Sequence, residues 1–228
     1  MARHIEQLVN EQMRKSELAK HSQQFVEKPC ISNVVTISRR MGSGARIIAQ
    51  KLADDLGWSL WDKELVNSMA QNARVSQKVV NAFDEHTISE IELFARGLFG
   101  DEQMAGFIYA RHLAKAVKSI ARLGNAIILG RGANLILPDA LKIRIDESDD
   151  LRIQNMIQFE GLTAEQSRRK LRESDRSRRQ FLISLFGRER ADAAIFDLSL
   201  WMDNFTNDDA VEIIKAAIKA YCKREVAP

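Results

Sequence analysis

The chain is 228 residues long, 45% hydrophobic and 29% charged, with 11 glycines and 3 prolines. That length supports one domain, or one domain with an embedded subdomain, and the composition excludes a disordered or collagen-like chain and a turn-dense small sandwich. The net charge is only +3, so nucleic acid is not implied by charge alone, and what matters is where the positive charge sits.

Residues 1–28 are polar and favour helix. Ile5, Leu8, Val9 and Met13 recur at helical spacing, which predicts a helix packed on the body or on a second subunit. The first residues lack the apolar centre of a signal peptide, and no run approaches the roughly 18 apolar residues of a membrane span, so a cytoplasmic protein is expected. Cys30 and Cys222 match no metal-ligand spacing and read as reduced thiols.

Residues 33–38 (NVVTIS) form a β-branched run and predict a buried strand. A glycine-containing loop, RRMGSGA, follows, and residues 46–56 are helical in pattern up to Gly57. The segment 58–61 (WSLW) fits a second short strand. Residues 62–123 are almost wholly helical, with 97–101 (GLFGD) as the expected break between two long helices. Strands are expected again at 126–130 (AIILG) and 141–145 (LKIRI). A helix then runs to Gly161, and Thr163 opens a capping box before a long arginine-rich helix. Residues 195–200 predict a last strand and 208–221 a last helix. Trp58, Trp61 and Trp201 flank strands and read as core residues. The alternation predicts an α/β fold with a parallel sheet covered by helices on both faces, and 62–123 is too long for a simple crossover.

Gly42, Ser43 and Gly44 stand between a strand and a helix, where unpaired amides and the helix dipole favour a phosphate. The full phosphate-loop pattern needs a lysine and a hydroxyl residue after its second glycine. Taking Gly44 as that glycine, Arg39 occupies the first glycine's place, Ala45 the lysine's and Arg46 the hydroxyl residue's. Arginines Arg39, Arg40 and Arg46 supply cations around the loop, and guanidinium forks suit phosphate oxygens.

In this context the segment VVTISRRMGSGARIIAQKLADDLGWSLWDKELV resembles the start of the cytidylate-kinase-like proteins, a branch of the P-loop nucleoside monophosphate kinases. Gly130-Arg131-Gly132-Ala133 and Asp175-Arg176-Ser177-Arg178 are similar to two further blocks of that family, and the resemblance runs over about residues 32–220. It implies a P-loop NTPase/nucleotide kinase fold with strand order 2-3-1-4-5. Residues 1–31 would be an N-terminal helical extension and 32–222 the kinase-like domain, with a helical acceptor-binding insertion at 62–123 and a lid-like segment at 163–190.

The implied activity is ATP-dependent phosphoryl transfer to a nucleoside monophosphate, with CMP or dCMP as candidate acceptors and Mg²⁺ expected. Arg39, Gly42, Ser43, Gly44 and Arg46 would hold the donor. Asp62, Arg131, Asp175 and Arg178 would hold the acceptor, and Arg46, Arg176 and Arg178 would be catalytic. No protein metal ligands are identified. Leu171 and Arg172 stand where the bacterial enzymes carry Arg-Asp, and Asn67 and Ser68 stand where they carry Tyr-Arg. The alternative is a catalytically impaired nucleotide sensor or partner-binding protein on the same fold. An RNA-binding reading is weaker, because the arginine helix is interleaved with acids and lacks an aromatic platform. The expected partners are a nucleotide substrate, no membrane, no nucleic acid, and a homodimer through the N-terminal helix.

Overall fold

The computed structural model describes residues 2–22, 33–99 and 105–222. Five strands form one parallel sheet: β1 (Val34–Arg39), β2 (Ser59–Trp61), β3 (Ala126–Leu129), β4 (Leu141–Asp146) and β5 (Leu198–Trp201), in the order β2-β3-β1-β4-β5. The inner strand β3 is a continuous apolar run and β1 a β-branched one, VVTIS, because helices cover both their faces. Their side chains alternate between two cores. Val34, Ala126 and Ile128 point into one. Val35, Ile37, Ile127 and Leu129 point into the other.

The second core is closed by α2 (Ala45–Leu56) and by the C-terminal helix, Asn207–Tyr221. Ile48, Ala49, Leu52 and Ala53 are the buried stripe of α2, and Gly57 stops that helix at a φ of 63°. The first core is closed by α1 (Ala2–Ser22) together with the block between β2 and β3. That block contains four helices rather than two long ones: α3 (Lys63–Gln71), α4 (Ala73–Val80), α5 (Glu85–Phe99) and α6 (Ala105–Leu123). Asn72 ends α3, and the Asp84 carboxylate caps α5 by accepting from Thr87 N at 2.7 Å, so polar caps divide a pattern that no proline interrupts. Part of the expected break at 97–101 lies outside the described residues.

The apolar stripe of α1 faces the body. Val9 is fully buried, and Ile5, Leu8 and Met13 pack against the first core, so this stripe is taken up within the chain and is not a free surface for a second subunit.

After β3 come α7 (Ala133–Ile136), β4, α8 (Asp149–Glu160) and α9 (Ala164–Asp192), whose helical dihedrals break at Gly187. The expected capping box forms at Thr163. The Asn207–Tyr221 helix is α10. Three expectations need correcting here. The last strand is Leu198–Trp201, because Asp197 pairs with Lys142 at the mouth of the ladder and leaves Ile195 outside it. Trp201, on the edge strand β5, is 51% exposed, whereas Trp58 and Trp61 are buried; Trp61 lies on the other edge strand, β2, where α1 and α3 pack. Cys222 is disulfide-bonded and not a free thiol, since distance along the chain says nothing of proximity in space; Cys30 lies outside the described residues. Among the described residues no helix is long and apolar enough to cross a membrane.

Candidate functional site

All five strands run the same way, so their carboxyl ends open on one edge of the sheet, where open α/β folds bind ligands. Here β1 delivers the loop 40–44. Gly42 and Gly44 hold φ of 86° and 67°. A Cβ on Gly42 would meet the Arg152 backbone oxygen at 3.1 Å, and one on Gly44 would meet Asn207 Oδ1 at 2.9 Å. Both the conformation and the crowding therefore require glycine.

The carbonyls along the loop are already engaged. Arg39 O accepts from Arg178 Nη1 at 2.7 Å, Arg40 O from Ser43 Oγ at 2.9 Å, Met41 O from Arg152 Nε at 2.6 Å, and Gly42 O from Asn155 Nδ2 at 2.8 Å. Among the described residues the amides of 43–46 donate to no protein acceptor. Carbonyls held away and amides left free, at the start of α2, make a cradle for an anion. The cradle floors a cleft of about 750 Å³, whose walls include Arg46, Asp62, Glu147, Phe159, Arg178 and Phe205.

Behind the loop lies an ion-pair network. Arg152 is 1% exposed and reaches Asp149 Oδ1 at 2.8 Å and Asp175 Oδ1 at 2.9 Å. Arg40 reaches Asp149 at 2.6 Å, Asp175 at 3.3 Å and Asp146 at 3.4 Å. Burial works against the Arg40 cation, but the three carboxylates outweigh it and raise its pKa above the ordinary arginine value. Asp175 thus ties α9 to the loop. Glu147 is 8% exposed and accepts from Asn155 Nδ2 at 2.8 Å. Burial, then repulsion from Asp203, pushes its carboxyl above the usual range.

In front of the loop the arginines are not neutralised in this way. The Arg39 guanidinium is pulled down to about 10, first by burial and then by Arg178 and Arg131, with Asp62 opposing and Arg46 adding to the repulsion. Arg178 is lowered too, by burial foremost and by Arg152 and Arg131 against the pull of Asp175. Arg131 lies just outside the cleft, with its guanidinium 4.6 Å over the Phe181 ring. Its backbone φ is 57°, between Gly130 at 83° and Gly132 at 66°. A non-glycine residue held there costs about 1–3 kcal/mol and is found where surrounding structure enforces it. A Cβ on Gly132 would strike the Phe186 ring at 2.5 Å, which is how α9 clamps this turn.

The structure therefore gathers Arg39, Gly42, Ser43, Gly44, Arg46, Asp62 and Arg178 around one cleft, with Arg131 beside it. Their local duties are not all those expected. Ser43 is buried and its hydroxyl turns into the loop. Asp62 caps α3 through Glu64 N and Leu65 N and accepts from Arg46 Nη2 at 3.1 Å. Arg46 remains 76% exposed at its side chain. Asp175 is engaged behind the loop. Arg176 is exposed and borders a separate depression with Glu173, Gln180 and Phe181.

Sequence reasoning gave no role to Arg152, Asn155, Glu147, Phe159 or Phe205. The spacing of Asp149 and Arg152, three apart on one helix, was a usable signal for the first of these. Among the described residues no group of three or more His, Cys, Asp or Glu side chains forms a metal site.

A family model for the cytidylate kinase-like family matches residues 34–204. A cytidylate kinase of Pyrococcus furiosus is 26% identical over 192 residues, which span 84% of this chain and 90% of that protein. One of Methanopyrus kandleri is 24% identical over 207 residues, spanning 86% and 97%. Among solved structures, an uncharacterized protein from Eubacterium ventriosum has a TM-score of 0.60 at 21% identity, covering 82% of this chain and 98% of that one, a likeness of fold.

Proposed function

The chain belongs to the cytidylate kinase-like family, and we propose that it transfers the γ-phosphoryl group of ATP to a nucleoside monophosphate, with CMP and dCMP the first acceptors to try. The observation that carries this reading is the loop 40–44: the carbonyls of Met41 and Gly42, like that of Arg39 before them, are held by side chains of α8 and α9, while the amides of 43–46 stay free beneath a cleft walled by Arg39, Arg46 and Arg178. Phosphoryl transfer asks a protein mainly to position two phosphates in line and to meet moving negative charge with fixed cations.

In this reading the amides of Ser43 and Gly44, with Gly42, Arg39 and Arg46, take the donor's phosphates. Arg131 and Arg178 face the acceptor's phosphate, and Arg46 and Arg178 stabilise the transferring group. Asp62 acts through Arg46, which it holds at the mouth. The α3–α6 block (62–123) walls the acceptor, and the 163–190 segment closes the site from above. Arg176 stands outside the cleft, and Asp175 anchors the loop instead of holding the acceptor. The Mg²⁺ that accompanies ATP finds no fitting ligand set: the Ser43 hydroxyl is turned away and Asp62 is already engaged. These residues do not make a magnesium site. The setting we infer is the cytoplasm.

The inward Ser43 hydroxyl and the alanine at position 45 favour one rival, a nucleotide sensor without turnover. Incubation with Mg·ATP and a panel of nucleoside monophosphates separates the two. Turnover of one acceptor, lost in Arg178→Ala and Arg46→Ala, supports the kinase. Thermal stabilisation by nucleotide with no product across the panel supports the sensor.

A further inference from the structure

Arg39 ends β1 and opens the phosphate loop, yet its guanidinium leaves the loop. It crosses to the neighbouring β3 turn and lies over Gly130, so closely that a Cβ there would sit 2.1 Å from Nη1. Only glycine leaves room for it. Among the described residues no carboxylate stands within ion-pairing distance of Arg39, and no protein acceptor takes its N–H groups. Its charged neighbours are Arg178, Arg131 and Arg46, against the single carboxylate of Asp62, which Arg46 already engages. A cation partly withdrawn from water among like charges is costly unless a ligand supplies the missing anion. Arg40 and Arg152, one and two shells back, have carboxylates in contact. Arg39 has none, although it lines the cleft.

The placement is also specific. The backbone of Arg39 begins the donor cradle, and its tip ends at Gly130-Arg131. The side chain spans the two phosphate positions of the kinase reading, on which this inference rests. We infer that Arg39 is a further catalytic cation of this site, beside Arg46 and Arg178, bridging the donor's γ-phosphate and the acceptor's phosphate in place of the absent loop lysine. In the step it serves, an unprotonated oxygen of the acceptor phosphate attacks the γ-phosphorus. That bond forms as the bond from the γ-phosphorus to the β,γ-bridging oxygen breaks, and ADP departs with the electron pair. No proton moves. Charge shifts toward the oxygens that the guanidinium fork touches, so its contacts tighten in the transition state.

The test uses the full chain and three variants: Arg39→Ala, Arg39→Lys and Gly130→Ala. The last keeps every charge but pushes the guanidinium off its seat. Arg39→Ala is expected to lower kcat by roughly 100- to 1,000-fold, the scale for losing one preorganised donor to developing charge, while either KM moves less than about tenfold. Gly130→Ala should lower kcat at least about tenfold, and Arg39→Lys should recover part of the loss. Calorimetry adds a reading without turnover. Mg·ADP should bind wild type and Arg39→Ala alike, whereas Mg·ADP with aluminium fluoride and the acceptor should bind tightly only to wild type. If wild type turns over and Arg39→Ala merely raises KM, or Gly130→Ala keeps full kcat, this inference alone is overturned. If wild type phosphorylates no nucleoside monophosphate and the fluoride complex binds no tighter than Mg·ADP, the kinase reading falls and this inference with it.

Discussion

Behind the phosphate loop, Arg40 and Arg152 share three carboxylates between them; in front of it, Arg39, Arg131 and Arg178 stand near one another with no carboxylate among the described residues in ion-pair contact. The two sides are a few residues apart and built from the same guanidinium chemistry. Behind, each charge is matched and the geometry is fixed, so the arginines act as struts that pull Met41 O and the α9 helix into place. In front, matching charge is missing and burial adds to the strain. A scaffold and a binding surface are therefore distinguished by how their cations are paired and not by residue type.

The largest effect should come from breaking the rear side. Arg152→Ala removes a fully buried cation from two carboxylates and one loop carbonyl. Unpairing a buried ion pair costs about 3–5 kcal/mol, and the 69% exposure of the Asp149 side chain moves the expectation to the lower end. A urea midpoint shift worth less than about 1 kcal/mol would show that Arg152 is no strut.

Asp175→Asn should cost less, about 1–2 kcal/mol, because Arg152 keeps Asp149 and Met41 O. The loss should appear in melts without any nucleotide. A variant with unaltered melting and only a raised KM for the acceptor would return Asp175 to the substrate.

Arg39→Met should invert the sign and stabilise the empty protein by about 0.5–1 kcal/mol, since apolar packing replaces an unmatched charge. The folded Arg39 pKa lies below the ordinary arginine value, at about 10. The charged form is thus penalised at all pH below about 10, and the penalty fades as pH climbs through that value toward the ordinary arginine pKa. The gain in melting temperature should therefore be full at neutral pH.

The smallest effect is at Glu147. Its carboxyl is raised above the ordinary 4.5 by burial and by Asp203, so the folded state holds a proton that the unfolded state has released. Stability attributable to it falls as pH rises from about 4.5 through its folded pKa. Glu147→Gln should flatten that limb by a few tenths of a kcal/mol. Identical pH profiles for the two proteins would remove Glu147 from the balance.

Much of the fold was legible in the chain. A β-branched run located β1 and an unbroken apolar run β3, and Gly57, Gly161 and Thr163 punctuated their helices as written. The position of β5 was not legible, because Ile195 and Phe196 are apolar but sit before the ladder begins. The glycine loop was readable as a cradle. The pairing of its arginines was not, since Arg40 meets Asp175 across 135 positions and Arg178 meets Arg39 O across 139. Residue type announced cations near phosphate, and only the packing of α8 and α9 decided which were already matched.

One feature of the N-terminal helix bears on solubility. The outer strand β2 would present bare amide and carbonyl groups to any passing chain, but Leu60 N donates to Gln12 Oε1 at 2.8 Å and Ser16 Oγ donates to Ser59 Oγ at 2.8 Å. Helix α1 thus hems the sheet along that border. Unhemmed strands recruit one another, so a chain beginning at Asn33 should precipitate or form multimers at concentrations where the full chain stays dispersed, whatever the state of the cleft.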